Sequence, residues 1–325
     1  MKAQYNQIKT RADAERKKSH SHGSWGAKLE LALARRKLSR FDWKRMNALF
    51  GLRAYDGPIR ASDLAAARKL TDIYIDVVDR LATRKPELRW FHVTLLCDEA
   101  IVNERASHLA LKRLKAKAYQ TLASLQLNAV VCIDVNSVPN YPQQGEGGSF
   151  LFHIHALCFT DQPFNLKNAR KKLTASKSWT CSLDAAPTNI VEITTLGSPS
   201  FWAAYDSKAP FEAKNYRVKA NGKCALWPTE SGLRPTVAMR LQEGLSHFAL
   251  RDMMFGVGEG RKLRKSIFRR LGRWQSKRWP GRKRITAFDH RALWIRLWKA
   301  SRSKRYTSWT VVGSSLRQRE RCDAL

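Results

Sequence analysis

Residues 149–160, SFLFHIHALCFT, decide how this chain folds. The run is apolar and aromatic almost throughout, a composition typical of a buried β-strand. Side chains alternate between the two faces of a strand, so His153 and His155 share one face, with their Cα atoms about 6–7 Å apart, while Ile154 faces the other. The sequence therefore predicts a buried strand that presents two imidazoles on one side.

The neighbouring segments supply the rest of a sheet. The apolar run 129–135 is joined to 149–160 by a Pro- and Gly-containing loop, which favours a hairpin. A helix is predicted to open after 198, with Ser198 as its N-cap and Pro199 as its first residue. Before it come further predicted strands and helices, at 89–98 (strand), 103–126 (helix), 164–176 (helix) and 188–196 (strand). The order β-α-β-β-α-β predicts an α+β fold, the ferredoxin-like split βαβ arrangement with an antiparallel sheet.

Charge divides the chain into three regions. The 325 residues carry a formal net charge of +33, of which about +11 falls in residues 1–85, +2 in 86–210 and +20 in 211–325. We interpret these as a basic, mainly helical N-terminal region that begins with a mobile arm over 1–26, a folded core, and a strongly basic C-terminal region. The basic flanks indicate a polyanionic partner.

The densest positive charge lies in 261–305, which holds 18 basic residues and one acid, interleaved with four tryptophans. Arginine and lysine contact phosphates and tryptophan stacks on bases, so this region is predicted to bind nucleic acid. The competing interpretation is a solvated basic face whose tryptophans are core. The candidate contact residues are Arg261, Lys262, Arg264, Lys265, Arg269, Arg270, Arg273, Lys277, Arg278, Arg282, Lys283 and Arg284.

Several classes of protein are disfavoured. There is no run of about 18 uncharged apolar residues and no signal-peptide pattern, so we expect a cytoplasmic protein without a membrane partner. The six cysteines form no C-x-x-C pair, and we expect reduced, mostly buried thiols. Without a Walker A pattern, unwinding of DNA would depend on a host helicase. The glycines of 256–260 are predicted to form a flexible loop, and the remainder of 211–325 short basic helices.

Two histidines on one strand face are able to share a divalent metal ion, and a carboxylate usually completes such a site. Asp134 alternates with Ile133 and Val135 on the preceding strand, so it faces away from the apolar set and is the first candidate for a third ligand. Weaker candidates are Glu192, Glu146, Asp98 and Glu99.

Tyr205 and Lys208 lie three residues apart on the helix that follows the last predicted strand, so they share a helix face. A phenol is a poor nucleophile at neutral pH unless a cation stabilises the developing charge. Together with the histidines, this pair indicates attack by tyrosine on a phosphate.

These segments resemble the HUH single-strand DNA endonucleases, and specifically the one-tyrosine rolling-circle replication initiators. The family's first motif looks like FHVTL at 91–95, its second is His153-Ile154-His155, and its third, Y-x-x-K, is Tyr205-Asp206-Ser207-Lys208. The resemblance covers about 86–210 and implies that this region is a nicking and joining endonuclease core.

The resemblance implies a specific reaction. Tyr205 would attack a phosphate of single-stranded origin DNA, forming a 5′-phosphotyrosine and a free 3′-OH primer; His153 and His155 would bind Mg²⁺ or Mn²⁺, and Lys208 would assist at the phosphate. Asp134 has no counterpart in these motifs and is proposed from strand parity alone. A second nucleophile is not expected, because Tyr216 lies beyond Pro210, which should end the helix.

Two other functions remain open. One is a transposase or relaxase-like nickase with the same chemistry; the other is a non-catalytic nucleic-acid-binding protein on an RNA-recognition-like sheet, although such sheets place aromatic residues where this strand has histidines. A further H-x-H, His20-Ser21-His22, lies in a polar segment and is interpreted as solvated.

Overall fold

The fold is described from a computed structural model of the chain. The structure describes residues 9–34, 46–47, 50–52, 54–55, 57–104, 110–138, 148–182, 186–193, 198–210, 212–218, 220, 224–228 and 233–280. Among these residues the chain forms seven α-helices and eight β-strands. The helices are α1 (Arg11–Ala34), α2 (Leu64–Arg84), α3 (Leu111–Ser124), α4 (Leu166–Thr174), α5 (Pro199–Asp206), α6 (Pro235–Ser246) and α7 (Gly260–Arg278). The strands are β1 (Arg89–Leu95), β2 (Ile101–Asn103), β3 (Asn128–Val138), β4 (Ser149–Thr160), β5 (Thr188–Glu192), β6 (Lys214–Val218), β7 (Cys224–Pro228) and β8 (Met254–Val257).

One antiparallel sheet organises the molecule. Its strand order is β5-β1-β4-β3-β8, and the short β2 also pairs with β4. The predicted α+β class is confirmed, and the long strand β4 has the bounds expected from its sequence. The predicted hairpin is the β3–β4 pair, in which Asp134 lies directly opposite His153.

The two faces of the sheet are covered by different helices. On one face, alternate residues of β1, β3 and β4, such as Val93, Val131 and Ile154, join the core that includes α3 and α6. On the other face, residues of α2, α5 and α7 form a second core with Trp90 and Leu157. The α2 side chains therefore pack on the sheet itself. The histidines of β4 belong to this second face.

Helix α5 begins as predicted. Ser198 is its N-cap, its side chain accepts a hydrogen bond from the backbone N–H of Ser200, and Pro199 is the first helical residue. The helix ends at Asp206, before Pro210, and Tyr216 lies apart from it on β6. This start and end place Tyr205 in the last turn.

Three predictions for the flanks are wrong. The arm proposed for 1–26 is helical from Arg11 onward, because α1 packs on α2, α5 and α6 and buries Trp25 in the first core. The region after 211 contains the β6–β7 hairpin and the largely buried α6, rather than only short basic helices. The stretch 256–260 is the junction of β8 and α7, rather than a flexible loop.

Glycines at that junction permit close packing. A Cβ at Gly260 would lie 1.8 Å from the carbonyl oxygen of Ala129 on β3, and Gly258 has a φ of +54°. Only glycine can lie this close to β3 and adopt this positive φ without strain. The junction therefore fixes the start of α7 against the sheet.

Candidate active site

Four side chains meet on the second face of the sheet. His153 and His155 come from β4 and Asp134 comes from β3, because alternation places all three on the same side. Lys208 reaches this group from just beyond the end of α5. All four are buried, so the structure brings the predicted residues together. The predicted placement of Lys208 on the helix is wrong, because α5 ends at Asp206.

Three ligand atoms converge within this cluster. The Nε2 atoms of His153 and His155 lie 2.9 Å apart, and Asp134 Oδ2 lies 3.4 Å from the first and 3.6 Å from the second. Adjacent ligands of an octahedral Mg²⁺ lie about 3 Å apart, as bonds of 2.0–2.1 Å require. The spacing and the chemistry of the three groups therefore fit a divalent metal ion.

The other nitrogens of the two rings are held by neighbouring groups. His153 Nδ1 lies 3.3 Å from the carbonyl oxygen of Leu151, to which it donates, and His155 Nδ1 lies 3.3 Å from Thr94 Oγ1. Such contacts orient an imidazole and favour a lone pair on Nε2. Burial lowers the pKa of His155 well below its usual range, which keeps this ring neutral, as metal binding requires.

A cation already neutralises Asp134. Lys208 Nζ donates a hydrogen bond to Asp134 Oδ2, and each side chain is only 3% exposed. Burial acts to raise the pKa of Asp134, but the charge of Lys208 outweighs it and holds that pKa well below its usual range. Burial acts to lower the pKa of Lys208, but the Asp134 charge outweighs it and raises that pKa. The pair is therefore ionised.

Tyr205 borders the cluster and remains half-buried. Its ring centroid lies 5.2 Å from that of His155, and Lys208 Nζ lies 4.5 Å from the Tyr205 centroid. A second ammonium, that of Lys17 on α1, lies 5.5 Å from the same centroid. The phenol is thus near the candidate metal site and close to two positive charges.

Sequence reasoning missed two groups beside these residues. His92 on β1 stacks on His155, with ring centroids 5.1 Å apart, and its Nε2 donates to Asp206 Oδ1 at 2.8 Å. These two residues and His155 form a second group whose ligand atoms lie within 4.8 Å of one another. Alternation with Thr94 along the predicted strand is the signal that could have placed His92 on this face.

The weaker carboxylate candidates lie elsewhere or outside the described residues. Glu192 pairs with Arg89 at the far end of β1, and Asp98 accepts hydrogen bonds from Ser182. Glu99 pairs with Arg113, and Glu146 falls outside the described residues. None of the three described candidates joins the groups of potential metal ligands.

The basic residues of α7 divide into two sets. Three are partly buried against the protein: Arg264 donates to backbone carbonyls, Arg270 pairs with Asp76, and Arg278 pairs with Asp63. The other cations are exposed, namely Arg261, Lys262, Lys265, Arg269, Arg273 and Lys277. Of these, Arg261 donates to Tyr119 Oη and Lys262 pairs with Glu259. Arg282, Lys283 and Arg284 lie outside the described residues.

The described cysteines Cys97, Cys132, Cys158 and Cys181 are thiols rather than disulfides, and the first three are buried. Among the described residues, no helix is both long enough and apolar enough to cross a membrane.

Comparison of the chain with protein-family models, with curated proteins and with solved structures finds no match.

Proposed function

We propose that the protein is a metal-dependent nickase of the HUH type that initiates rolling-circle replication. The observation that carries this proposal is the placement of Tyr205, whose half-buried ring lies 5.2 Å from the ring of His155, beside the converging atoms of His153 and Asp134. A nucleophile bordering a buried His-His-Asp group is an arrangement that suits tyrosine attack on a phosphate.

Each side chain has a role in this reaction. Tyr205 Oη attacks the scissile phosphorus, the P–O3′ bond breaks, the departing 3′ oxygen takes up a proton, and the phenol proton passes to solvent. Lys208 and Lys17, both close to the phenol ring, stabilise the negative charge on the phosphate. Mg²⁺ or Mn²⁺ held by His153, His155 and Asp134 would polarise the phosphate oxygens.

The order of the strands supports the same proposal. The four strands predicted for the core are, in chain order, β1, β3, β4 and β5. Across the sheet they lie in the order β5-β1-β4-β3, which is the fourth, first, third and second of them. Every neighbouring pair among them is antiparallel. This order supports a ferredoxin-like split βαβ sheet, to which β8 is added beside β3.

The exposed side of α7 is proposed to contact DNA. Its cations recur at intervals of three and four, from Lys262 through Lys265, Arg269 and Arg273 to Lys277, and so follow one side of the helix. Helix α7 packs on the same face of the sheet as α5, and both helices share a core with α2. A strand bound along this side would be held on the face of the sheet that carries Tyr205.

Formation of a covalent adduct tests the proposed reaction. Labelled single-stranded oligonucleotides that tile the replicon are incubated with the protein in Mn²⁺ or in EDTA and resolved on denaturing gels. We expect one oligonucleotide to give a Mn²⁺-dependent adduct that is lost in Tyr205→Phe. The matched control is Tyr216→Phe on β6, which should leave the adduct yield unchanged.

The outcomes separate the alternatives. Tight DNA binding without an adduct on any oligonucleotide would favour a non-catalytic nucleic-acid-binding protein. An adduct whose freed 3′-OH joins a second DNA end, without priming synthesis at an origin, would favour a transposase or relaxase-like nickase. An adduct that persists in Tyr205→Phe would reject the assignment of the nucleophile.

Salt dependence tests the α7 surface. Replacing Lys265, Arg269 and Arg273 by Gln should reduce the slope of log affinity against log salt for single-stranded DNA by about 2, since each phosphate contact contributes roughly 0.7. A single Gln at Lys112 on α3 is the control for general loss of charge. An unchanged slope in the triple variant would remove α7 from the proposed interface.

A further inference from the structure

His92 and Asp206 form a buried pair directly behind the proposed nucleophile. The His92 Nε2 atom lies 2.8 Å from Asp206 Oδ1, and their side chains are 4% and 0% exposed. The contact joins β1 to the last residue of α5. Tyr205 is the residue immediately before Asp206, so this bond fixes the turn that carries the phenol.

The His92 ring also contacts both halves of the candidate site. It stacks on His155, with centroids 5.1 Å apart and planes inclined by 30°, and it meets the Tyr205 ring edge-on, with centroids 5.8 Å apart. Trp202, one turn earlier on α5, packs on the same imidazole at 4.6 Å. A single ring thus contacts both the tyrosine and a candidate metal-binding histidine.

A gain in folding stability does not explain why the chain has this buried ionisable pair. Burying a carboxylate has a large desolvation penalty, and apolar residues of similar volume often serve as well or better. Asp206 Oδ2 is buried and has no hydrogen-bond partner within the described part of the chain. Unlike an apolar contact, the pair provides a directional hydrogen bond between the sheet and the end of α5.

We propose that His92 and Asp206 are positioning residues that set the orientation of the Tyr205 phenol relative to the His153–His155 pair. The inference rests on the proposed function, in which Tyr205 attacks a phosphate held beside these histidines. A displacement of about 1 Å at a nucleophile reduces rates by roughly 100-fold. The pair acts through Tyr205 and has no contact with the phosphate in this scheme.

Two substitutions separate the hydrogen bond from the ring. His92→Phe keeps a stacked ring and removes the bond, whereas His92→Gln keeps an N–H near the position of Nε2. We expect His92→Phe to lower the single-turnover cleavage rate about 100-fold with Mn²⁺ affinity changed by less than about threefold, and His92→Gln to recover most of the rate. The matched control is Val93→Ala, which weakens the same strand from its other face and should lower thermal stability without slowing the folded enzyme.

The results are unambiguous in either direction. A His92→Phe variant as fast as wild type would overturn the proposal, and so would a variant whose slow cleavage is restored by raising Mn²⁺. The second of these outcomes would assign the His92–His155–Asp206 group to metal binding instead.

A measurement without DNA keeps the inference separate from the proposed activity. The protein is labelled with 3-fluorotyrosine, and the ¹⁹F resonance of Tyr205 is identified by its loss in Tyr205→Phe. Mn²⁺ should broaden this resonance strongly in wild type, and less in His92→Phe at equal occupancy. If wild type never forms an adduct but this difference is found, the positioning role stands and the nicking function fails; equal broadening in both proteins would reject the positioning role.

Discussion

The chain contains the same short motif twice, in two kinds of secondary structure. His153-Ile154-His155 lies on β4 and His20-Ser21-His22 lies on α1. On the strand both rings are buried and their Nε2 atoms are 2.9 Å apart. Residues two apart on a helix point about 200° apart, as 3.6 residues per turn require, so His20 is exposed while His22 contacts Thr71 at 3.1 Å. The spacing H-x-H therefore indicates a metal site only on a strand.

Replacement of both histidines of the strand motif should give the largest effect, and the same replacement in the helix motif is its control. His153→Gln with His155→Gln is expected to abolish the rise in melting temperature that Mn²⁺ produces and to lower adduct formation at least about 1,000-fold, because two of three ligands are lost. The matched variant, His20→Gln with His22→Gln, should retain both properties. Thermal denaturation with and without Mn²⁺, followed by the adduct assay, measures them.

The assignment of the metal site to the strand motif is rejected if the helix variant loses the response to Mn²⁺ or if the strand variant keeps it. In the first case the ion would bind near α1. In the second case His153 and His155 would be ordinary buried strand residues.

A second difference between the motifs is the ion pair beside the strand histidines. Lys208 occupies Asp134 Oδ2, an atom that a metal ion would also use, so the ammonium and the metal compete for it. Lys208→Met should destabilise the metal-free protein by about 3–5 kcal/mol, since it leaves a buried carboxylate without its cation. We expect Mn²⁺ to restore much of this stability and to raise the melting temperature more than in wild type.

Lys17→Met is the control for this substitution. Lys17 lies near the same tyrosine but pairs with Glu212, at 3.4 Å, on a partly exposed surface. Its loss should leave both the stability and the Mn²⁺ response close to those of wild type. A Lys208→Met protein with the same Mn²⁺-induced shift as wild type would contradict the competition.

Local pattern was sufficient for four strands of the sheet, namely β1, β3, β4 and β5, and for most of the site; it did not predict β2 or β8. The alternation around His153 and Asp134 predicts the strands and their shared face, and Ser198-Pro199 predicts the start of the helix that carries Tyr205. These features depend on residues adjacent in the sequence. His92 was within reach of the same alternation, but its partner Asp206 lies 114 residues away.

Features that depend on distant partners could not be predicted. Arg270 and Arg278 look like their exposed neighbours on α7 until Asp76 and Asp63 are placed beside them, about 200 residues earlier in the sequence. The helical state of α1 likewise follows from packing on α2 and α5, since its own segment contains Gly23 and Gly26, both weak helix formers. In each case tertiary contacts override the local pattern.

The smallest expected effect concerns the helix motif. Burial, assisted by the charge of Arg68, lowers the pKa of His22 to about 4 from its ordinary value of 6.5. Between these values the unfolded chain binds a proton at His22 that the folded protein does not, so the unfolding free energy falls as pH falls from about 6.5 to 4. We expect this residue to contribute about 1–3 kcal/mol of that decrease.

Urea denaturation of His22→Gln and His20→Gln across this pH range isolates the contribution. The first variant should lose part of the decrease, whereas the second, altered on the exposed side of the same helix, should follow wild type. Carboxylates that titrate over the same range are present in both variants, so the difference between the two curves reports His22 alone. If the curves coincide, the helix does not bury His22, and the helical H-x-H is a solvated pair after all.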